Sequence, residues 1–172
     1  MWADGYDYFQ LLLAPVKSEL YRETLEKANA LISDGDDFIS GLSNLSALLK
    51  ESFNFWWVGF YIVRDSKSSH GKSLFLGPFQ GPVACQRIEY GKGVCGSAWK
   101  KNTLINVPNV HDFPGHIACS SFSNSEIVVP ISTNGEVQVL LDIDSKNYAE
   151  FDEVDEKHLV DLAQIISHKL LK

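Results

Sequence analysis

Cys85 and Cys95 stand ten positions apart in GPFQGPVACQRIEYGKGVCGSAWK, the stretch from Gly77 to Lys100, and a third cysteine, Cys119, follows in HDFPGHIACSSFSNS. Thiols in such numbers serve a metal, a structural disulfide or redox turnover. Metal spacing is absent, since the chain has neither C-x-x-C nor H-x-x-x-H, and zinc therefore has no sequence support. Three cysteines cannot all pair within one chain, and a reducing compartment argues against structural disulfides. A lone buried cysteine is usually an inert small hydrophobe, but all three here sit beside turn-forming residues rather than inside apolar runs. Thiolate chemistry needs access and a lowered pKa, and the glycine-rich helix start from Gly93 to Gly96 is expected to supply backbone N–H groups that lower the pKa of Cys95. Redox work is the leading reading of the three thiols. His111 and His116 are the bases nearest Cys119 in sequence, although loop histidines are more often simply solvated.

A second group of candidates is acidic. EIVVPIS, TNG and EVQVLLDIDS read as two strands joined by a glycine-containing turn. With a three-residue loop, Thr133-Asn134-Gly135, Glu126 faces Asp142, and Asp144 shares their side of the sheet. With a two-residue Asn-Gly loop, Glu126 faces Ile143 and the acids disperse. Like charges facing each other across strands are destabilising, so a cluster calls for a cation, a shared proton or a hydrogen-bonding ligand. The plainer alternative leaves these acids solvated at a strand end, with Val137, Val139, Leu141 and Ile143 as the core-facing side.

The elements that must position these groups follow from periodicity. Apolar residues recur at helical spacing from Val16 to Ile32, and again from Phe38 to about Ser52 after a cap-like Asp36 or Asp37. FNFWWVGFYIV is dense in aromatic and β-branched residues and predicts a strand over about 54–63. Alternation puts Trp57, Gly59 and Tyr61 on one of its faces and Trp56, Val58, Phe60 and Ile62 on the other. SLFLGPF and ACQRIEY predict further strands, GKGVCGSAWKKN a short helix closed by Asn102, and TLINVPNV a strand and turn. HDFPGHIACSSFSNS predicts a long loop of the kind that carries function. Phe151, Val154, Leu159, Leu162, Ile165, Ile166 and Leu170 mark a closing amphipathic helix. Helices first, an antiparallel meander in the middle and a helix last make an α+β order, with helices packed on a sheet.

The whole chain narrows the partner. Its 172 residues, 45 % hydrophobic, suit one domain. Fifteen basic against twenty-two acidic residues give a formal charge of -7, which repels nucleic acid and anionic membranes. A small polar ligand fits better. The start, MWADGYDYFQLLLAPVK, has acids where a secretory signal needs bases and an apolar run too short to span a bilayer; the expectation is a cytoplasmic protein.

NFWWVGFYIV, LGPFQGPVACQRIEYGKGVCGSAW, VPNVHDFPGHIACSSFSNSEIVVPI, VLLDIDS and FDEVDEKHL together resemble the free methionine-(R)-sulfoxide reductases, which are single GAF domains. The resemblance runs from the SGLSNLSALLKESF helix to the C-terminus, and residues 1–15 are least like the family. It implies a GAF fold, a six-stranded antiparallel sheet with helices packed on it, over a catalytic domain of 16–172 behind an N-terminal extension of 1–15. It implies reduction of the R epimer of free methionine sulfoxide. By motif, Cys119 is the attacking cysteine, Cys85 its principal resolving partner and Cys95 a second resolving or relay thiol. Glu126, Asp142 and Asp144 are implied ligands of the amino and sulfoxide groups, with Trp57 as a wall around the methyl. The resemblance further implies a thioredoxin-type dithiol protein as reductant, no metal, no organic cofactor, and suggests a homodimer. The rival reading is a GAF sensor module that binds a small molecule without chemistry; it has no need of three cysteines in reactive contexts beside carboxylates.

Overall fold

The computed structural model describes the backbone of residues 4–117 and 122–171, and side chains from residue 16 onward within those ranges. Cys119 therefore lies outside the described residues. Among the described residues, four helices and six strands follow in the order α1 (Asp4–Leu31), α2 (Phe38–Phe53), β1 (Trp57–Asp65), β2 (Lys72–Gln80), β3 (Arg87–Ile88), α3 (Gly93–Lys101), β4 (Ile105–Val107), β5 (Ser125–Thr133), β6 (Glu136–Ser145) and α4 (Glu153–Leu170), with a 3-10 turn at Val110–Asp112.

Local chemistry explains the ends of these elements. The Asp37 side chain accepts the Ser40 backbone N–H at 2.8 Å and caps α2. Asn54, at φ 52°, turns the chain out of α2 in the left-handed conformation, and Asn102, at φ 48°, does the same for α3. Asp152 and Asp155 form a capping box at the start of α4, and Lys17 and Tyr21 of α1 tie themselves to the buried Asp155. α1 itself begins at Asp4 rather than at Val16 and continues through Pro15. A proline removes one backbone donor and here does not end the helix.

The strands form one antiparallel sheet in the order β3-β2-β1-β6-β5-β4. One face carries Val58, Phe60, Ile62, Ile127, Val129, Leu141 and Ile143 against α1, α2 and α4. The helical contribution comes from buried Leu42, Leu45, Leu49, Leu159 and Ile166, each worth about 1.5–3 kcal/mol on burial. The opposite face carries Trp57, Tyr61, Val128 and Leu140 against Val94, Cys95 and Ala98 of α3.

The β5–β6 hairpin takes the two-residue loop of the two alternatives. Thr133 pairs with Glu136, so the loop is the two residues Asn134 and Gly135, both at positive φ (52° and 81°), as a tight type I′ turn demands. That loop alone would disperse the acids. Between Ser132↔Val137 and Ile131↔Val139, however, Gln138 is left as an extra residue, a β-bulge. The bulge shifts the pairing by one, and Glu126 comes to face Asp144 while Asp142 faces Val128. It also turns Val137 to the α3 face while Val139, Leu141 and Ile143 stay in the other layer, so Val137 is not part of the core-facing row that simple alternation predicts.

Candidate functional site

Three adjacent strands bring their ends together on the α3 face. Trp57 opens β1, Glu126 is the second residue of β5, and Asp142 and Asp144 lie near the end of β6; the pairings Trp57↔Asp144, Gly59↔Asp142 and Glu126↔Asp144 put all of them on one side of the sheet. Gly59 is required there. A Cβ at that position would lie 2.4 Å from the Cβ of Phe79 and 2.6 Å from Cη2 of Trp57. The empty position lets the Trp57 indole lie flat beside the acids, stacked on Phe79 at 5.5 Å between centroids. The indole Nε1 donates to the Pro82 carbonyl at 3.0 Å, which fixes the ring as a wall.

The third residue of α3, Cys95, is buried and directs Sγ at Oε1 of Glu126 across 3.9 Å. Ligand atoms of Cys95, Glu126 and Asp142 all lie within 4.8 Å of one another. Three acids this close repel one another when ionised, so the cluster favours its protonated forms. Among the described residues, the buried Oδ1 of Asp142 has no hydrogen-bond partner, which leaves it free to accept from a ligand.

Burial dominates the electrostatics. It raises the pKa of Glu126 and Asp142 well above the usual carboxylate range, with further upward pushes on Glu126 from Asp142 and Asp144 and on Asp142 from Asp144. Burial also lifts Asp144 to about 6, although a hydrogen bond from Ser123 favours its charged form. The same cause acts on Cys95, whose thiol is driven up by burial and then by Asp142 and Glu126. This overturns the expectation that the glycine-rich helix start would lower it. Backbone N–H groups at a helix start cannot offset full desolvation beside two carboxyl groups.

Two further side chains complete the pocket. Nε2 of His116 lies 3.8 Å from Oε2 of Glu126, with the ring mostly enclosed; burial, aided by His111, holds it below the ordinary imidazole value. The Tyr61 hydroxyl donates to the Cys85 carbonyl at 2.9 Å, while the ring lines the pocket next to Trp57. Cys85 itself is disulfide-bonded and Cys95 is a free thiol.

No protein-family model matches the chain. The free methionine-R-sulfoxide reductase of Escherichia coli is 42% identical over 144 residues, covering 83% of this chain and 84% of that protein. Its Saccharomyces cerevisiae counterpart is 42% identical over 158 residues, 88% and 86% of the two chains. Among solved structures, the Neisseria meningitidis free methionine-R-sulfoxide reductase in complex with its substrate superposes with a TM-score of 0.84 at 46% identity, covering 90% of each chain.

The chain belongs to the free methionine-(R)-sulfoxide reductase family.

Its fold is the GAF fold, shared also with a Coxiella burnetii phosphotransferase GAF domain that is only 20% identical (TM-score 0.74). Of the residues that the reductase motifs single out, the structure gathers Trp57, Cys95, Glu126, Asp142 and Asp144 around one pocket. Cys85 stands beside it, its neighbour Ala84 lining the wall. Sequence reasoning gave His116 little weight and missed Ser123, which is buried and bonded to Asp144. No spacing rule points to either. Position in the reductase motif HIACSSFSNSEIVVP was the available signal.

Among the described residues no helix is long and apolar enough to cross a membrane.

Proposed function

We propose that this chain reduces the (R)-sulfoxide of free methionine to methionine. The observation that carries this reading is the carboxyl cluster of Glu126, Asp142 and Asp144 beside the Trp57 wall, in which Oδ1 of Asp142 is buried and has no donor among the described residues. A free α-ammonium brings three N–H donors and a positive charge to these acids, whereas a peptide amide brings one neutral N–H and added bulk. An indole wall suits the apolar methyl and methylene groups of the same substrate.

Cys119 attacks the sulfoxide sulfur as a thiolate. Glu126, held protonated by burial, gives its proton to the sulfoxide oxygen; the hydroxyl then passes to the Cys119 sulfur as the substrate S–O bond and the transient S–S bond break, methionine departs, and Cys119 is left as a sulfenic acid. The Cys85 thiol then attacks that sulfur, an S–S bond forms, and the hydroxyl leaves as water with the thiol proton. A thioredoxin-type dithiol protein of the cytoplasm reduces the disulfide by exchange and is itself oxidised to a disulfide. The disulfide at Cys85 and the free, high-pKa thiol at Cys95 support Cys85 as the principal resolving thiol, with Cys95 in reserve. A sensor module needs none of this redox apparatus.

The test uses free methionine (R)-sulfoxide, free (S)-sulfoxide and N-acetyl methionine (R)-sulfoxide, each with dithiothreitol and purified protein. The expected result is methionine from the first substrate alone. Comparable rates on the N-acetylated substrate would sink the ammonium argument, and no turnover of any substrate would sink the activity.

A further inference from the structure

Glu126 has to be protonated again before each new turnover, and its surroundings make that difficult. The carboxyl is buried, and Asp142 and Cys95 are buried beside it in the same pocket. Of its acidic neighbours Asp144 alone is half-buried, and its carboxylate is engaged by a hydrogen bond from Ser123. His116 differs in kind and in place. Its Nε2 lies 3.8 Å from Oε2 of Glu126, and its side chain is 14% exposed against 9% for Glu126, so the ring touches both the buried acid and the pocket mouth. The gap is slightly longer than a hydrogen bond, a distance that one water or a small ring movement on substrate binding closes.

The backbone holds the ring there. Val110 is fully buried and its N–H binds the Asn124 carbonyl at 3.0 Å; Phe113 N–H binds the Val110 carbonyl at 3.2 Å, and His116 N–H the Phe113 carbonyl at 3.1 Å. This ladder leads from the packed 3-10 turn to the histidine. Among the described residues, Glu126 from β5 and His111 from the turn act on the ring, and Lys92, Asp142 and Asp144 line the same pocket. With His111 nearby and burial opposing charge, a proton taken up by His116 is weakly held and readily passed on.

We propose that His116 is the residue through which Glu126 recovers its proton between turnovers. The inference rests on the reductase reading above. In the step, the N–H bond of the His116 imidazolium breaks as an O–H bond forms on the Glu126 carboxylate, and no electrons change hands. The imidazole then takes a new proton from water or from a thiol that is becoming a thiolate. His116 acts through Glu126 rather than on the sulfoxide.

The experiment is rapid-quench kinetics on free methionine (R)-sulfoxide with saturating dithiothreitol, comparing wild type with His116→Gln and His116→Ala. A burst of about one methionine per subunit persists in both variants, because Glu126 starts out protonated. The steady-state rate after the burst falls about tenfold or more, as expected for loss of one positioned acid–base group, and added imidazole restores part of it in His116→Ala. A steady-state rate within about twofold of wild type overturns the proposal, as does a loss that imidazole does not restore. Should neither variant fold, the wild-type solvent deuterium isotope effect decides: an effect confined to the post-burst rate supports the relay, and its absence there overturns it. If wild type makes no methionine at all, the reductase reading fails first.

Discussion

Glu126 and Asp144 face each other across β5 and β6, two acids in direct cross-strand register on a buried sheet face. Opposed like charges destabilise such a pair by about 0.2–1 kcal/mol even on an open surface, and burial raises the cost. The arrangement holds because the cluster keeps protons, and a proton held in a pocket is available for chemistry.

Replacing Glu126 by Gln removes the donor while keeping the shape. The expected loss in kcat is about a hundredfold, within the usual range for a general acid. In wild type the rate declines as rising pH takes the proton from Glu126, whose pKa lies above the ordinary carboxylate range; Glu126→Gln lacks that limb. A variant whose pH–rate profile keeps the wild-type shape would move the acid elsewhere.

Asp144 links the cluster to stability. Its pKa is about 6 in the folded protein against 3.8 as the ordinary value, so the folded state holds this proton more tightly than the unfolded chain. The stabilisation is complete below the lower value and is lost as pH rises through the upper one. At about 1.4 kcal/mol per pKa unit, reduced for the partial exposure of the side chain, the loss is about 2 kcal/mol. Glu126 and Asp142 act in the same direction, while Asp152, lowered in spite of burial by its bonds to Lys17, acts in the opposite one. The check is urea unfolding of wild type and Asp144→Asn across this range. Wild type loses stability relative to the variant, and parallel curves refute the assignment.

Deleting Gln138 removes the bulge residue and leaves the Asn134-Gly135 turn intact. Val137 is then followed directly by Val139, so Ile131 still meets Val139 and Glu126 still faces Asp144. We expect the deletion variant to keep activity, whereas one alanine inserted between Leu140 and Leu141 brings Ile143 opposite Glu126, costs about 3 kcal/mol or more and leaves no detectable activity. Gln138→Ala, which keeps the residue count, retains activity within about twofold. Circular dichroism melts with activity assays distinguish these variants, and an active insertion variant refutes the argument from register.

Gly59→Ala tests the wall. The new methyl meets Phe79 and the Trp57 ring well inside contact distance, and overpacking of this sort costs about 1–3 kcal/mol. Displacement of the indole should raise KM for methionine sulfoxide more than it lowers kcat. An unchanged KM would show that Trp57 does not touch the substrate.

Much of the fold was legible in the sequence. The stripes of α2 and α4 and the aromatic alternation of β1 report directly on which side each residue buries, because a single period governs each element. The Asp37 and Asn102 caps were equally local. The bulge at Gln138 was not legible, since no residue type there demands it and only the pairing with Ile131 and Ser132 reveals it. Cys95 was misjudged for a related reason. Its helix start is visible in sequence, but the carboxyl groups that set its pKa arrive from β5 and β6, more than thirty residues away. His116 and Ser123 join the pocket by the same long-range route.

Strand β6 alternates Leu141, Asp142, Ile143 and Asp144, two letters given to the helical core and two to the pocket. Durability and chemistry are thus interleaved along one short ribbon rather than assigned to separate parts of the molecule. Drift in this ribbon is bound by parity: one inserted residue exchanges the two sets, while two restore them. Lineages that lengthen the hairpin tip by one residue can keep both only by surrendering the bulge, so the tip and the bulge should vary together among relatives of this chain.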